Sequence, residues 1–326
     1  MIIIKAKAKA HTNIALIKYW GKKDEKIALP ANSSLSLTLE AFYTKTEVEF
    51  KKGLKEDILY IDGRKDDKSL KRVSNFLDIF RKKANLDLKA KITSFNHVPF
   101  AAGLASSSSA FAALAKAANK ASGLNLNKEE LSKIARKGSG SACRSLYNGF
   151  VQWKKGEDDK SSYAYPIDSA NWDLAMIVIL VNKEEKKISS RKAMKITKET
   201  SPFFQEWTKE AEKDLILIKK AIKNKDLKSI GEIMEANALK MHATMIAAKP
   251  SIIYFQDKTL KAIEIVKKVR NDKLLAFFTI DAGPNVKVLC HLSQASRVKE
   301  YFLNDFKEEE IIVSKIKVGK SDEWKK

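Results

Sequence analysis

The stretch Pro99–Ala118 reads PFAAGLASSSSAFAALAKAA, and the architecture turns on it. It opens on Pro, bends through small residues around Gly103 and passes through Ser106 to Ser109 into an Ala-rich helix. That helix is expected over Ala110–Ser122, with Gly123 as its C-cap. One serine is enough to cap a helix. Four in a row, with almost no bulk beside them, leave room for a guest against the backbone. A helix start offers free N–H groups and a partial positive charge, so the natural guest is a phosphate. The plainer reading is a Ser-rich cap on a tightly packed Ala helix, and the segment lacks the GK[ST] of a Walker A loop.

The flanking sequence reads as strands before the loop and helices after it. Residues 1 to about 60 are mostly strand and loop: Ser36–Ala41 and Thr46–Phe50 alternate, and Ile58–Ile61 precedes an Asp62–Gly63 turn. Leu70–Ala84 carries Val73, Phe76, Leu77 and Phe80 at helical spacing, and Leu88–Ser94 is a strand that feeds the loop. Lys128–Arg136 is a helix broken at Gly138–Ser141, and Gly149–Trp153 and Tyr163–Pro166 read as strands. A new pattern starts near Trp172. Leu174–Val181 is a buried strand, followed by amphipathic helices over Pro202–Asn224, Leu227–Ala248 and Asp257–Asn271. Leu274–Thr279 and Val286–Leu289 flank a DAGPN turn, and a helix near Gln294–Phe306 leads to a strand over Ile311–Val318. This is an α+β layout of two domains, 1–172 and 173–326, with the phosphate loop in the first.

The 326 residues suffice for a sizeable core, and the apolar and aromatic shares are those of a globular protein. No apolar run is long enough to span a membrane. The start, MIIIKAKAKAH, alternates like a strand and lacks the apolar core and cleavage site of a signal peptide. Cys143 and Cys290 make no disulfide framework and have no metal-ligand spacing. The expected compartment is the cytoplasm, with no membrane partner. The net charge of +22 admits nucleic acid or anionic substrates as partners. A lysine-rich bias on solvated faces accounts for it better: lysines run along the whole chain with acids interspersed, and no RNA-binding signature appears. No nucleic-acid partner is expected.

Four segments carry chemistry. In HTNIALIKYWGK (His11–Lys22) a strand-like run ends in polar and aromatic residues before Gly21, either a core strand and turn or a functional loop. The serine loop is the second. In KGSGSACRS (Lys137–Ser145) two glycines and three serines surround Arg144, which suits an anion nest and a bidentate grip on carboxylate or phosphate, or a plain helix–helix turn. In FTIDAGPNV (Phe278–Val286), Asp281 sits between an apolar strand and a sharp turn, a place for a general base or for an ordinary turn former.

Together, and in this order, these segments resemble the GHMP kinase superfamily and, within it, the mevalonate diphosphate decarboxylase family. LPANSSLSLTL (Leu29–Leu39), ISSRKAM (Ile188–Met194) and KMHAT (Lys240–Thr244) fill the gaps, so the resemblance covers nearly the whole chain. It implies a GHMP kinase fold: an N-terminal ATP-binding domain like ribosomal protein S5 domain 2, a ferredoxin-like C-terminal domain, and an active site in the cleft between them. It implies decarboxylation of mevalonate 5-diphosphate to isopentenyl diphosphate in isoprenoid biosynthesis. The 3-hydroxyl is phosphorylated by ATP and ADP, phosphate and carbon dioxide are released, with Mg²⁺ bridging the phosphates and a homodimer as the assembly.

By the same resemblance Asp281 orients or deprotonates the 3-hydroxyl, and Arg144 holds the substrate carboxylate with Asn13 in its network. Tyr19, Lys22, Ser139, Gly140, Ser141, Ser190 and Arg191 hold the diphosphate and main chain of the substrate. Gly103, Leu104, Ser106, Ser107 and Ser108 wrap the ATP phosphates, with Ser107 also the metal contact and an aid to the transferred phosphoryl. Ser94, Asn96 and Val98 meet the nucleoside, and Lys186 and Lys187 lie on a loop that closes over the phosphates. Three departures from the family pattern stand out: Asn148 where Gly is frequent, a single Pro in AAKPSIIY (Ala247–Tyr254), and Lys240 in place of a frequent Arg. Asn tolerates a left-handed backbone, so Asn148 is expected to do no harm, and none of the three is expected to touch the catalytic set. The rivals are a relative that stops at 3-phosphorylation or uses another phosphomevalonate, and a non-catalytic binding protein of the same fold.

Overall fold

The computed structural model describes residues 4–97, 106–182 and 188–319. Strand β1 (Lys5–Ile17) explains its own environment. Its first half, KAKAKA, alternates between exposed lysines and alanines turned to the core, so one face meets water. Its second half is buried on both faces. β2 (Lys22–Asp24) and β3 (Leu29–Pro30) form a small ribbon, and β4 (Ser34–Lys51) then runs back along β1. The two separately expected alternating runs, Ser36–Ala41 and Thr46–Phe50, are thus one long strand with a register shift opposite His11 and Asn13.

β5 (Ile58–Ile61), β6 (Arg64–Lys65), α1 (Asp67–Ala84), β7 (Lys89–His97), α2 (Ser106–Ala121) and α3 (Lys128–Gly138) follow. A 3₁₀ turn over Gly140–Leu146 leads to β8 (Phe150–Trp153) and β9 (Ala164–Asp168). The first sheet has the order β6-β5-β7-β4-β8-β9, with β1 on the free edge of β4. Asp66 caps α1 through the Ser69 N–H, and Asn127 caps α3 through that of Glu130. In α2 the fully buried Ala112, Ala113, Ala115, Ala117, Ala118 and Ala121 leave little side-chain bulk where the helix meets β1 and β4. At the turn before β8 it is Gly149 that takes the left-handed backbone, at φ +75°, so Asn148 has no need of it; a Cβ on Gly149 would lie 2.4 Å from the Asp168 carbonyl oxygen.

The chain leaves the first sheet at Asp168 and enters the second at β10 (Ala175–Ile179). α4 (Ser190–Thr200), α5 (Phe204–Lys223), α6 (Leu227–Ile246) and α7 (Asp257–Asn271) precede β11 (Ala276–Ile280) and β12 (Val286–Cys290). α8 (Ala295–Glu300) and β13 (Ile311–Lys315) complete it. The second sheet is antiparallel, β11-β12-β10-β13. β10 is apolar throughout because both its faces are covered. Ala175, Ile177 and Ile179 pack with α7 and α8, while Met176 and Val178 turn to α5, α6 and the first sheet. Each of the Ile, Met and Val side chains contributes roughly 1.5–3 kcal/mol of burial. Two expectations needed adjusting. α4 was not read as a helix, and the last helix stops at Glu300 because tight turns then carry Phe302 and Phe306 into the core.

One core is common to both sheets. It joins Ile14, Leu16, Leu35 and Leu37 of the first to Met234 and Met241 of α6 and Phe277 of the second. The carboxyl end of the chain reinforces it, since Ile316 bridges to Leu39 and the Lys317 N–H donates to the Thr38 carbonyl. The ends of β1 and β11 and the start of the 3₁₀ turn converge there.

Candidate active site

Asp281 follows β11 directly, at the turn into β12. Its hairpin is held in place because Asn285 Oδ1 accepts the N–H groups of Val181 and Asn182, and Thr259 donates to the Pro284 carbonyl. Lys18 Nζ lies 2.7 Å from Asp281 Oδ1, and Lys287 Nζ lies 3.3 Å from Oδ2. Both lysines are almost fully buried, at 2% and 1% exposure. Burial alone would raise the Asp281 carboxyl, but the ammonium groups of Lys18 and Lys287 outweigh it and hold the group well below the usual carboxylate range. Burial lowers Lys18, against the pull of Asp281, and the charges of Lys287 and Arg144 add to the lowering.

Neither lysine was singled out from the sequence. Each carried a signal: Lys18 ends an apolar strand, and Lys287 is the one charge in VKVLC. Lys18 also donates to the Ala15 carbonyl at 2.8 Å, which uses two of its three ammonium protons and leaves one.

Arg144 sits in the 3₁₀ turn at 2% exposure. Its Nε donates to Asn13 Oδ1 at 3.3 Å and its Nη1 to Ser34 Oγ. Asn13 in turn donates to the Ser141 carbonyl at 3.0 Å and to Ser145 Oγ at 2.7 Å. Among the described residues no carboxylate lies within 4.0 Å of Arg144, and burial lowers the guanidinium's affinity for its proton. A buried cation with only neutral partners is costly, and an anionic ligand would offset that cost.

The Tyr19 ring packs on Trp153 at 4.8 Å between centroids, and its hydroxyl is buried with no hydrogen-bond partner among the described residues. Burial pushes that hydroxyl well above the usual tyrosine range, so it stays a neutral donor. Gly140 is required beneath it: a Cβ would lie 2.7 Å from the Tyr19 ring. Ser139 Oγ is 3.1 Å from Ser107 Oγ, which brings the serine helix to the Ser139–Ser141 segment.

The serines divide the work. Ser107 is half-buried and faces Ser139, whereas Ser108 and Ser109 are fully buried. Ser109 links to Thr12 and Thr44, docking α2 on the sheet. Ser106 starts α2. Asn96 accepts from Thr44 and Ser94 pairs with Thr46 at 3.0 Å, so both sit on β7 among sheet hydroxyls. Lys22 is 2.5 Å from Glu25. Ser190 and Arg191 open α4, and the Arg191 charge reaches Tyr19 and Arg72. Arg72, which sequence reasoning missed, stacks over Phe111 and donates to the Gly138 carbonyl at 2.7 Å. Val98, Gly103, Leu104, Lys186 and Lys187 lie outside the described residues.

Among the described residues no group of three His, Cys, Asp or Glu side chains could hold a metal. The oxygens at the start of α2 are the Ser107 and Ser139 hydroxyls. That donor set fits Mg²⁺ carried on nucleotide phosphates, because Mg²⁺ takes few protein ligands and keeps its waters. No described helix is long and apolar enough to cross a membrane.

Comparison with known proteins agrees with this geometry. Residues 10–164 match the diphosphomevalonate decarboxylase-like N-terminal domain, and residues 176–325 match the mevalonate 5-diphosphate decarboxylase C-terminal domain. The chain is 35% identical over 303 residues to diphosphomevalonate decarboxylase of Candida albicans, covering 87% of this chain and 83% of that protein. Mevalonate diphosphate decarboxylase of Staphylococcus aureus superposes with a TM-score of 0.94 at 45% identity, over 97% of this chain and 96% of that one. MDDEF, solved in complex with MVAPP, AMPPCP and magnesium, superposes with a TM-score of 0.93 at 48% identity, over 97% and 98%.

Proposed function

This chain belongs to the diphosphomevalonate decarboxylase family, and from that premise we propose which residues carry out its ATP-dependent decarboxylation of mevalonate 5-diphosphate. The observation that carries the assignment is the Lys18–Asp281–Lys287 cluster, whose charges reach the buried Arg144.

ATP phosphates lie at the start of α2, where Ser107 orients the transferred phosphoryl and would hold Mg²⁺ together with the phosphates. Bound there, Mg²⁺ neutralises charge between the oxygens of the transferring group. Ser106 and Ser108 shape that end, and Ser94 and Asn96 lie toward the nucleoside. Tyr19 offers its unpartnered hydroxyl to the substrate diphosphate, with Lys22, Ser139, Gly140, Ser141, Ser190 and Arg191 around it.

Asp281 accepts the hydrogen bond of the 3-hydroxyl and aims its oxygen at the γ-phosphorus. A carboxylate held so far below its usual range is a weak proton acceptor. It suffices here because phosphoryl transfer has a loose transition state, and the proton leaves late. The new O–P bond forms as the bond to ADP breaks, and the proton passes to Asp281. Lys18 keeps Asp281 ionised and has one proton left for an anionic oxygen of the substrate. Arg144 holds the substrate carboxylate until the 3-phosphate departs. The electron pair of the bond to the carboxyl carbon then becomes the double bond, and carbon dioxide leaves.

Residues 1–172 serve as the ATP-binding half and 173–326 as the half that brings Asp281. On the family resemblance alone, we also propose a cytoplasmic homodimer, which sedimentation would test for its assembly.

The test is coupled. The protein is incubated with Mg-ATP and carboxyl-labelled mevalonate 5-diphosphate, and ADP and carbon dioxide are counted together, with Asp281→Ala alongside. Equal release of both, lost in the variant, is expected. ADP without carbon dioxide would mean a 3-kinase and remove the role given to Arg144.

A further inference from the structure

We propose that Asn237, on α6, is a positioning residue that sets the Lys18–Asp281 pair by gripping the backbone of Lys18. This rests on the roles given above to Lys18 and Asp281. Lys18 stands one residue past β1, where the ladder to β4 has ended at Ile17 and Leu35. Its backbone must therefore find other partners. Its N–H donates to Asn237 Oδ1 at 2.8 Å, and its carbonyl accepts from Asn32 Nδ2 at 2.7 Å. Both asparagines are fully buried. A pair of side chains, one from each half of the chain, thus fixes the peptide groups on either side of the Lys18 Cα.

Asn237 is itself held. Its Nδ2 donates to Asp214 Oδ2 at 2.9 Å, and Asp214 takes Lys240 Nζ at 3.0 Å. Lys240 also reaches Glu210 at 3.1 Å. The Asp214 carboxylate can only accept, so the amide of Asn237 must turn its NH₂ that way and its oxygen to the Lys18 N–H. An amide meets both demands; a carboxylate or an alkyl group does not. The line Glu210–Lys240–Asp214–Asn237–Lys18–Asp281 runs from the surface of α5 to the reacting carboxylate. Lys240, expected from the sequence to stand apart from the catalytic set, belongs to this line.

Displacing a catalytic group by about 1 Å typically costs on the order of 100-fold in rate. Asn237→Leu should therefore lower kcat by roughly 30- to 100-fold while KM for both substrates stays within about threefold. Asp281 is faced by Lys18 at the end of β1, Lys287 on β12, Arg144 on the 3₁₀ turn and His242 on α6. Loosening only the first leaves Lys287 to keep Asp281 ionised at neutral pH, so the loss is read there in kcat rather than in KM. A role confined to stability would leave kcat of the folded enzyme in place.

The decisive comparison is an exchange. Asn237→Asp alone sets two carboxylates against each other and should lose activity. Asn237→Asp with Asp214→Asn restores an acceptor for Lys18 and a donor between positions 214 and 237, and should recover most of it. Recovery of kcat supports the proposal, even if Asn237→Leu does not fold. An exchange no better than the single variant, or an Asn237→Leu enzyme with unchanged kcat, overturns it. Lys18→Met and Asp281→Ala run alongside separate the two levels. If they too retain activity, the roles of Lys18 and Asp281 fail; if only they lose it, the role of Asn237 fails alone.

Discussion

Replacing Lys18 by Met keeps the length of the side chain and removes the charge 2.7 Å from Asp281. At an effective dielectric constant near 20, unit charges at the Lys18 and Lys287 separations attract by about 6 and about 5 kcal/mol. Desolvation of a lysine as buried as Lys18 takes back a large part of this. The net pull of one contacting cation on a carboxyl is about one to three units. Lys18→Met should therefore raise the Asp281 carboxyl back toward the usual carboxylate range, while Lys287 still keeps it ionised at neutral pH. Loss of fixed charge at the reacting group should lower kcat about 100- to 1,000-fold, with a smaller change in KM.

The stability sign differs from the activity sign. A depressed folded-state carboxyl contributes stability above the ordinary carboxylate range and loses it as pH falls through the depressed value. The variant gives up that contribution and also sheds a buried lysine, so the melting temperature at neutral pH should move little. The assay is initial rate near neutral pH over a range of both substrate concentrations, with ADP and carbon dioxide both counted. An unchanged kcat with a raised KM would refute the reasoning.

Arg144→Gln removes a buried cation that has no carboxylate within 4.0 Å among the described residues. Carbon dioxide release should fall about 100- to 1,000-fold while the melting temperature holds or rises; a lower melting temperature would mean that the guanidinium is structural. Tyr19→Phe deletes a hydroxyl with no partner among the described residues, so stability should be unchanged or gain about 1 kcal/mol, and KM for mevalonate 5-diphosphate should rise several-fold. A KM equal to wild type would release Tyr19 from the substrate. His11 and His242 are both lowered to about 4 by burial, chiefly, with nearby lysine charges adding to it. The unfolded chain takes up more protons between about pH 4 and 6.5, so stability should fall as pH drops through that window, by up to about 3 kcal/mol per histidine. Denaturation midpoints that stay flat from pH 6.5 to about 4.5 would contradict this, and His242→Gln should weaken the slope.

The parts of the fold that could be read were those with local causes. KAKAKA announces a strand with one wet face, and the all-apolar AMIVI announces one with none. The four motifs suggested chemistry, and side-chain hydrogen bonds join Ser107 to Ser139 and Arg144 to Asn13. What could not be read depends on partners far along the chain. Lys18 and Lys287 look like stray charges until the hairpin at Asp281 is laid against the end of β1, 263 residues away. Asn237 is an ordinary helix residue until Lys18 is seen to need a hydrogen bond. α4 is poorly marked in the sequence because ISSRKAM carries few apolar residues at helical spacing, and its start is fixed by a cap, the Ser189 hydroxyl accepting from the Lys192 N–H.

The net charge of +22 resolves into two kinds of cation. Surface lysines such as Lys209 and Lys213 pair with acids one helical turn away, in water, where each pair contributes little and yields to salt. The cations of the site are buried, and Asp281 is shared by two of them. Their mutual repulsion shows in the structure: Lys287 and Arg144 help lower Lys18, and Arg191 adds to what burial does to Arg72. A site built this way opposes its own folding, and the common core beneath it must hold it together. Polyanionic substrates reverse that balance, because each phosphate and carboxylate that enters neutralises a charge the protein has already desolvated. The positive excess that costs stability in the free enzyme is thus the same excess that draws ATP and mevalonate 5-diphosphate into one cleft. Lysines added to the surface would raise the net charge without deepening that preference, since water screens them before a phosphate arrives.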